Sequence, residues 1–200
     1  MKLKSFLFIC VFSLITLCTS YAQEKGQAEL KNGNLSSSKE LWTEAFTWYE
    51  KAANKGNAEA MYHLAYMFEN GQGRDQDYAQ AINWYKKAIQ NNYSYALIAL
   101  GIIYQNNDLY EEAKNCYQLA AQKGIADGME LLGFLNLTKQ NYSDAILWFK
   151  KAADKGNKEA MYQIGLLYQE GLDLNADEEE AKKWFKKAAD KGHEEAKAKL

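Results

Sequence analysis

Few residues of this chain have the types and spacing that metal binding requires. The two histidines are His63 and His193. Neither belongs to a His-Glu-x-x-His pattern, which would place two ligands on one helix face. The segment 173–184 resembles a calcium-binding loop, but Glu178 stands where such a loop needs glycine and Trp184 where it needs its closing glutamate. We therefore expect no metal ion and no other cofactor.

The sequence also contains no recognisable centre for nucleophilic catalysis. Cys116 is the one cysteine after residue 22, and it is aligned with tryptophans in the repeat described below, which indicates a packing role. There is no Gly-x-Ser-x-Gly elbow, phosphate-binding loop or dinucleotide fingerprint. The 26 acidic residues include no pair whose geometry the sequence defines, and exposed helix surface is their expected location. The sequence gives no support to an enzyme.

The elements that could position functional residues are easier to identify, because one helix-turn phrase occurs five times. The copies are WYEKAANKGN, WYKKAIQNNY, CYQLAAQKGI, WFKKAADKGN and WFKKAADKGH, beginning at Trp48, Trp84, Cys116, Trp148 and Trp184. Successive copies are therefore 36, 32, 32 and 36 residues apart. This period is typical of stacked helical hairpins. The sequence predicts an all-α fold.

Each repeat is predicted to contain two helices, A and B, for example at 58–70 and 78–90. The residues expected to end the B helices in a left-handed conformation are Gly56, Asn92, Gly124, Gly156 and Gly192. Asn57, Ser94 and Asn157 are the expected N-caps of the A helices that follow. The local signals thus agree with the period of the repeat.

Two aligned positions of the repeat, called columns here, accept residues of only one size class. Helix A keeps a small residue at Ala65, Gly101, Gly133 and Gly165. Helix B keeps an aromatic residue at Tyr85, Tyr117, Phe149 and Phe185. We interpret the small column as a place where a neighbouring helix passes closely, and the aromatic column as core rather than as a cofactor site.

The pattern EAMYHLAYMFENGQG followed by DYAQAINWYKKA resembles the repeat of the Sel1-like family, a relative of the tetratricopeptide repeat. The resemblance covers residues 58–193. It implies an αα-hairpin solenoid, a right-handed superhelix whose A helices line the concave side, and a usual role as an adaptor or scaffold for protein complexes. The 36-residue copies keep the family's glycine-containing turn most nearly at Gly71 and Gly73. The 32-residue copies lack it and look more like tetratricopeptide hairpins.

Domain boundaries are expected to follow the repeats. Residues 23–57 are predicted to form a degenerate N-terminal repeat or cap, with 23–38 as a degenerate helix or loose arm. The four complete repeats are predicted at 58–93, 94–125, 126–157 and 158–193. Residues 194–200 are then the start of a C-terminal capping helix.

The first 22 residues have the form of a secretory signal. Lys2 and Lys4 precede an apolar run, Phe6–Cys18. Ser20 and Ala22 then supply a small-x-small cleavage site, so we expect cleavage after Ala22 and a periplasmic or secreted product without stable membrane insertion. Removal of two lysines and no acidic residue leaves 22 basic and 26 acidic residues, a net charge of −4. This balance argues against nucleic acid as a partner.

The face of the A helices opposite their buried stripe is the predicted partner-binding surface. The predicted concave-face residues are Glu59, His63, Tyr66, Tyr95, Ile102, Asp127, Leu131, Phe134, Glu159, Gln163 and Leu166. One column, Tyr66, Ile102, Phe134 and Leu166, is apolar in every repeat. Such a column suits either a binding groove or a helix that is buried on all sides. The acidic residues would suit a partner with an apolar anchor and basic flanks.

The residues and the resemblance together favour an exported scaffold that holds a protein or peptide partner on its concave surface. A more specific version is an immunity protein that neutralises a secreted toxic effector, as some exported members of the family do. The alternative is a β-lactamase-like or cell-wall-binding protein, as described for cysteine-rich relatives. Those relatives carry a disulfide in each repeat, and the corresponding cysteine pairs are missing here. Cell-wall binding would depend on aromatic residues such as Trp42, Tyr62, Tyr66 and Tyr95.

Overall fold

A computed structural model describes residues 26–172 and 176–200, so the predicted signal at 1–22 and the calcium-like residues Asp173 and Asn175 lie outside the described residues. The helices are α1 Gln27–Ser38, α2 Trp42–Asn54, α3 Ala58–Asn70, α4 Tyr78–Gln90, α5 Ala96–Asn106, α6 Tyr110–Gln122, α7 Ala126–Thr138, α8 Tyr142–Asp154, α9 Lys158–Glu170, α10 Glu178–Asp190 and α11 Glu194–Lys197. The described residues contain no β-strand. The predicted all-α class is confirmed.

The helices are grouped into two compact units that divide between Ala96 and Leu97. In the first unit α1 packs on α2, α2 on α3, and α3 on α4. In the second unit α7 packs on α6 and α8, and α9 packs on α8 and α10. Each unit is thus a run of consecutive helical hairpins, with α1, α3, α5, α7 and α9 in the A position and α2, α4, α6, α8 and α10 in the B position.

Helices α1 and α2 form a complete hairpin at the start of the first unit. The Tyr49 hydroxyl of α2 donates a hydrogen bond to Asn34 Oδ1 of α1 at 2.9 Å. Gly33 lies directly against the Tyr49 ring, and a Cβ atom built on it would stand 2.6 Å from the ring carbons. Residues 27–38 are therefore a packed helix rather than a loose arm, although the sequence shows little apolar periodicity there.

The expected helix ends are mostly where the local signals place them. Asn92 and Gly124 adopt φ angles of 69° and 80°, in the left-handed region that ends a helix. The Asn57 and Asn157 side chains accept hydrogen bonds from the backbone N–H groups of Ala60 and Ala160, at 2.9 and 2.8 Å. The prediction for Ser94 was wrong, because α5 begins only at Ala96 and Ser94 lies in the preceding turn.

The aromatic column of the B helices is fully buried, as predicted. The Tyr85 hydroxyl donates to Glu69 Oε2 at 2.6 Å, and the Tyr117 hydroxyl donates to Gln105 Oε1 at 2.9 Å. Burial is the main reason that the pKa values of both phenols are raised, to about 12 for Tyr117. The acceptors satisfy hydroxyl groups that would otherwise destabilise the core.

The two repeat lengths have a simple structural origin. Helices α3 and α4 are joined by the seven residues Gly71–Asp77, whereas α5 and α6 are joined by the three residues Asn107–Leu109. The four-residue difference equals the difference between the 36- and 32-residue copies. The helices themselves therefore keep their register, and the extra residues lie in the connection between helix A and helix B.

Candidate protein-binding surface

Helix α3 turns one face into the core of the first unit and the opposite face towards solvent. Its ends are fixed by the Asn57 cap and by Gly71, which has a φ of 65°. Met61, Leu64 and Phe68 are buried, and an apolar stripe at this spacing explains why the helix packs this way round. The other face carries three of the predicted site residues, Glu59, His63 and Tyr66.

Aromatic rings continue from this face onto the segment that follows α4. Tyr62 lies 5.1 Å from Tyr93 between ring centroids, and Tyr93 lies 6.1 Å from Tyr95. Tyr66 and Tyr95 are 44% and 58% exposed, while Tyr62 and Tyr93 are half-buried. We call these four residues, Tyr62, Tyr66, Tyr93 and Tyr95, the tyrosine patch. It joins two predicted site residues, Tyr66 and Tyr95, through two that were not predicted for this surface.

Two carboxylates lie at the margins of the tyrosine patch. Burial is the largest reason that the pKa of Tyr62 is raised, and the charge of Glu69 raises it further. Burial likewise raises the pKa of Tyr93, with Glu59 as the next cause. Glu59 and Glu69 are thus close enough to the rings to oppose a second negative charge there.

His63 lies between the tyrosine patch and helix α2. Its ring stacks on Tyr49 with 4.9 Å between centroids and meets Tyr62 edge-on at 5.5 Å. Burial among these rings lowers the pKa of His63 below its ordinary value of 6.5, although Glu59 Oε1 at 3.7 Å opposes the shift. His63 is therefore neutral at pH 7 and serves mainly as a packing residue beneath the patch.

In the second unit the predicted apolar column is only partly accessible. Ile102 is 39% exposed, whereas Phe134 and Leu166 are half-buried. Phe134 packs edge-on against Phe149 with 5.2 Å between ring centroids. Leu131 is half-buried against the same core, and Asp127 is exposed at the start of α7. Ile102 is thus the most accessible apolar member of this column in the second unit.

Glu159 and Gln163 belong to a hydrogen-bond network that includes a buried histidine. Glu159 accepts from Gln163 Nε2 at 2.8 Å and from His193 Nε2 at 2.9 Å. His193 Nδ1 accepts from the Ala196 N–H at 3.3 Å and so caps helix α11. In these two bonds Nδ1 acts as the acceptor and Nε2 as the donor. Glu195 Oε2 also lies 3.3 Å from Nδ1. His193 is a structural N-cap, aligned in the repeat with Asn57 and Asn157.

Asn157 forms a similar link one repeat earlier. Its Nδ2 donates to Glu130 Oε2 at 2.5 Å while its Oδ1 caps α9. Burial raises the pKa of Glu130, and this hydrogen bond opposes the shift. The cap residue of one A helix is therefore tied to the A helix before it, which holds both predicted site faces of α7 and α9 in place.

One lysine in each of the helices α2, α4, α8 and α10 contacts a tryptophan of the same helix. Lys51, Lys87, Lys151 and Lys187 each lie over the tryptophan three residues earlier, at 3.7 to 4.5 Å from the ring. Such cation–π contacts hold the lysines against the surface of the repeat. They explain the recurring Trp-x-x-Lys phrase without any need for a nucleic-acid partner.

An open groove of about 440 Å³ lies beside the long connection between α3 and α4. Arg74 stacks on Phe46 and Phe68 at 4.7 and 5.4 Å, and the lining also includes Asp75 and Asp77. No sequence pattern predicted this groove. Its lining contains three carboxylates and one cation, and this mixture does not indicate a particular ligand.

The described part of the chain contains no cluster of metal ligands and no helix that could span a membrane. Across residues 26–172 and 176–200, no three His, Cys, Asp or Glu side chains are arranged to hold a metal ion. Within the same ranges, every helix is too short or too polar to cross a bilayer. Cys116 is buried in α6, in the column that tryptophan occupies in other repeats.

Comparison with known families identifies the repeat. The family model described as Sel1 repeat matches residues 43–57, 58–93, 94–125, 126–157 and 158–193. Comparison with curated proteins gives no significant match.

Solved structures give the same result. A Sel1 repeat protein from Oxalobacter formigenes is 30% identical with a TM-score of 0.75, and the alignment covers 84% of this chain and 72% of that one. The protective antigen c5321 of uropathogenic Escherichia coli is 29% identical with a TM-score of 0.73, covering 92% of this chain and 42% of that one. Immunity protein Pa5087 from Pseudomonas aeruginosa, at 20% identity and a TM-score of 0.56, covers 78% of this chain and 60% of that one and shares the fold.

The repeat matches extend over most of the chain and agree with the hairpins seen in the structure. The chain therefore belongs to the Sel1 repeat family, whose helical repeats are scaffolds typical of protein–protein interaction.

Proposed function

We propose that this protein is an exported scaffold that binds a protein or peptide partner on the solvent face of its A helices. The observation that carries the proposal is the exposure of Tyr66 and Tyr95 on or beside that face in the first unit. Ile102 is exposed on an A helix of the second unit. Tyrosine is enriched at the energetic centres of protein interfaces, since it buries a large apolar ring and keeps a polar tip. The opposite faces of α3 and α5 are already used for the core.

The location of these residues distinguishes them from other exposed apolar side chains. Tyr93 and Tyr95 adjoin further aromatic rings, and Tyr66 lies close enough to Tyr62 to affect its pKa. A partner that covers these residues would bury several aromatic side chains together. Tyr78 and Leu147, by contrast, lie singly on B helices at 52% and 51% exposure. Scattered apolar residues are normal on any protein surface, whereas a cluster indicates an interaction site.

Export is part of the proposal and is supported by the signal-like composition of residues 1–22. An immunity protein is its more specific version. Pa5087 and PA5088 from Pseudomonas aeruginosa are immunity proteins that share the fold at 20% and 19% identity. A fold of this kind is therefore compatible with the neutralisation of a toxic protein in the cell envelope.

The enzymatic alternative has weaker support. The β-lactamase-like relatives depend on paired cysteines, and only Cys116 follows residue 22 here. A nitrocefin assay separates the two classes, because turnover by the purified protein above that of a boiled control would contradict the scaffold proposal. Cell-wall binding is tested by sedimentation with purified peptidoglycan.

The main test is affinity capture from a native envelope extract with the full chain carrying a C-terminal tag. Variants Tyr66→Asp and Tyr95→Asp each place a charge on the A-helix surface of the first unit, and Ile102→Asp does so in the second unit. Matched controls Tyr78→Asp and Leu147→Asp place the same charge on B helices at similar exposure. We expect one stoichiometric protein to be lost with the first set and retained with the controls. Phe134 is unsuitable for this test because it packs on Phe149.

A further inference from the structure

The tyrosine patch carries two carboxylates that have no permanently charged partner. Glu59 is half-exposed, and its one ion-pair partner in the described part of the chain is His63, which is neutral at pH 7. Glu69 accepts a hydrogen bond from the neutral Tyr85 hydroxyl. No Lys or Arg among residues 26–172 and 176–200 forms an ion pair with either carboxylate.

The equivalent position in the second unit has a nitrogen donor between the tyrosine and the carboxylate. There Tyr162 stacks on His193 with 4.4 Å between centroids, and Glu159 accepts the N–H of the same ring at 2.9 Å. The His193 ring thus stacks on the face of Tyr162 and donates a hydrogen bond to the Glu159 carboxylate. Lys158, one residue before Glu159, also donates across the repeat boundary, to the Gly192 carbonyl.

In the first unit the same three positions are Tyr62, Tyr93 and Glu59. The donor that His193 provides is missing, because Tyr93 stands at that position, and the nearest ring nitrogen to Glu59 is His63 Nε2 at 3.7 Å. Tyr95 stands where the second unit has Glu195, which adds an exposed ring. The substitutions enlarge the aromatic surface and leave the carboxylate without the N–H group that its counterpart receives.

The electrostatics of the patch favour a cation at this place. The faces of tyrosine rings carry partial negative charge and attract ammonium and guanidinium groups. Glu59 and Glu69 add full negative charges, and their effect is visible in the raised pKa values of Tyr93 and Tyr62, after the larger effect of burial. A guanidinium is the better fit, since its plane stacks on rings while its N–H groups reach a carboxylate.

We propose that the tyrosine patch binds an arginine side chain of the protein partner, whose guanidinium donates to Glu59 and stacks on the exposed tyrosine rings. The inference rests on the proposed scaffold function and names the chemistry that its first unit recognises. The apolar rings also accommodate the aliphatic stem of the arginine or a neighbouring apolar residue of the partner.

The test uses the purified, processed protein with ¹³C-labelled tyrosine rings and two pentapeptides. The probe is acetyl-GRLRG-amide, and its control replaces both arginines by citrulline, which is neutral and nearly isosteric. We expect the arginine peptide to shift the ring resonances of Tyr62, Tyr66, Tyr93 and Tyr95. The citrulline peptide should bind with a Kd weaker by roughly tenfold, as expected for the loss of one ion pair reinforced by ring stacking.

Two variants test the role of Glu59. Glu59→Gln is expected to weaken binding of the arginine peptide by a similar factor of roughly ten. Glu44→Gln, the same change at an exposed carboxylate of α2 in the first unit, should leave the Kd unchanged. Equal binding of both peptides, or shifts confined to other tyrosines, would overturn the inference. The same holds if chitotetraose shifts the patch resonances and the arginine peptide does not, because the patch would then bind glycan.

Failure of this inference is distinguishable from failure of the scaffold proposal. A native partner that is captured by the wild type, lost in Tyr66→Asp and retained in Glu59→Gln would keep the scaffold and exclude the arginine site. Loss of the native partner in Glu59→Gln with an unchanged thermal midpoint would support both.

Discussion

The ring of Phe149 fills the space in which a Cβ atom on Gly133 would stand. A Cβ built on Gly133 lies 2.5 Å from Phe149 Cε1, which is too close for any real contact. We expect Gly133→Ala to lower the free energy of unfolding by about 1–2 kcal/mol through overpacking, even though alanine favours a helix. The measurement is the urea or thermal midpoint followed by circular dichroism.

The control for this change removes the ring rather than the methyl group. In a Phe149→Leu background the added methyl meets a smaller side chain, so the cost of Gly133→Ala should shrink. Ala65 and Tyr85 occupy the repeat positions of Gly133 and Phe149, and both are fully buried. A hairpin of this type can therefore be built with a methyl group at this position. A cost that is the same in both backgrounds would contradict the steric explanation.

His63 makes the first unit sensitive to acid. Its folded-state pKa lies below the ordinary value of 6.5 because burial among Tyr49 and Tyr62 disfavours the charged ring. The unfolded chain therefore takes up a proton first as the pH falls, and the free energy of unfolding decreases below about pH 6.5. We expect His63→Gln to lose less stability than the wild type between pH 7 and pH 5, measured as thermal midpoints.

Glu59→Gln gives the opposite result in the same experiment. Glu59 opposes the downward shift of the His63 pKa, so its removal lowers that pKa further. The acid-dependent loss of stability should then grow relative to the wild type. Parallel pH profiles for all three proteins would mean that His63 does not titrate differently in the folded and unfolded states.

Much of the fold follows from the spacing of particular residues. The small column was correctly interpreted as a size restriction, since Gly101, Gly133 and Gly165 each face an aromatic ring of the next helix. Asn57 and Asn157 were correctly predicted as caps for a local reason, the reach of an Asn side chain to the third residue of the helix. Such features depend on contacts between residues of one hairpin. These contacts recur at a fixed sequence separation, so they can be recognised from the repeat.

The exposure of the proposed binding surface could be predicted only in part. Tyr66, Ile102, Phe134 and Leu166 occupy one column of the repeat, yet Tyr66 and Ile102 are exposed while Phe134 and Leu166 are half-buried. The difference depends on which neighbouring side chains cover each position, and the period carries no such information. Tyr93 was missed as well, because it occupies the position of an N-cap and reaches the tyrosine patch only through the packing of its ring on Tyr62.

Tyr117 makes the second unit sensitive to alkali. Burial raises its pKa to about 12, so the folded state keeps the proton that the unfolded chain loses near pH 10. The free energy of unfolding therefore falls as the pH rises from about 10 to 12. Phenylalanine fits this column at Phe149 and Phe185. Tyr117→Phe should lose about 1 kcal/mol at pH 8, the value of the hydrogen bond to Gln105.

The same variant should show a flatter alkaline profile than the wild type. Urea midpoints at pH 8, 10 and 11 give the comparison, and lysine titration contributes equally to both proteins. Absorbance at 295 nm adds a direct readout, because Tyr117 in the folded wild type should ionise only above the pH at which the exposed tyrosines do. A slope that is unchanged by the substitution would contradict the raised pKa.

Substitutions at His193 test whether different residues can serve as the N-cap at this position of the repeat. Its Nδ1 caps α11 at Ala196, its Nε2 bonds Glu159, and its ring stacks on Tyr162. We expect His193→Ala to cost about 1–2 kcal/mol, the usual range for the loss of an N-cap together with a buried hydrogen bond. His193→Asn should cost less, because Asn57 and Asn157 cap their helices from the equivalent position.

The readout for these two variants is local as well as global. Amide hydrogen exchange at Ala196 reports the cap directly, and it should be faster in His193→Ala than in His193→Asn. The thermal midpoint reports the cost to the second unit. If Asn and Ala give the same exchange rate, the cap is not the main contribution of His193, and its stack on Tyr162 and its bond to Glu159 must account for the stability that is lost.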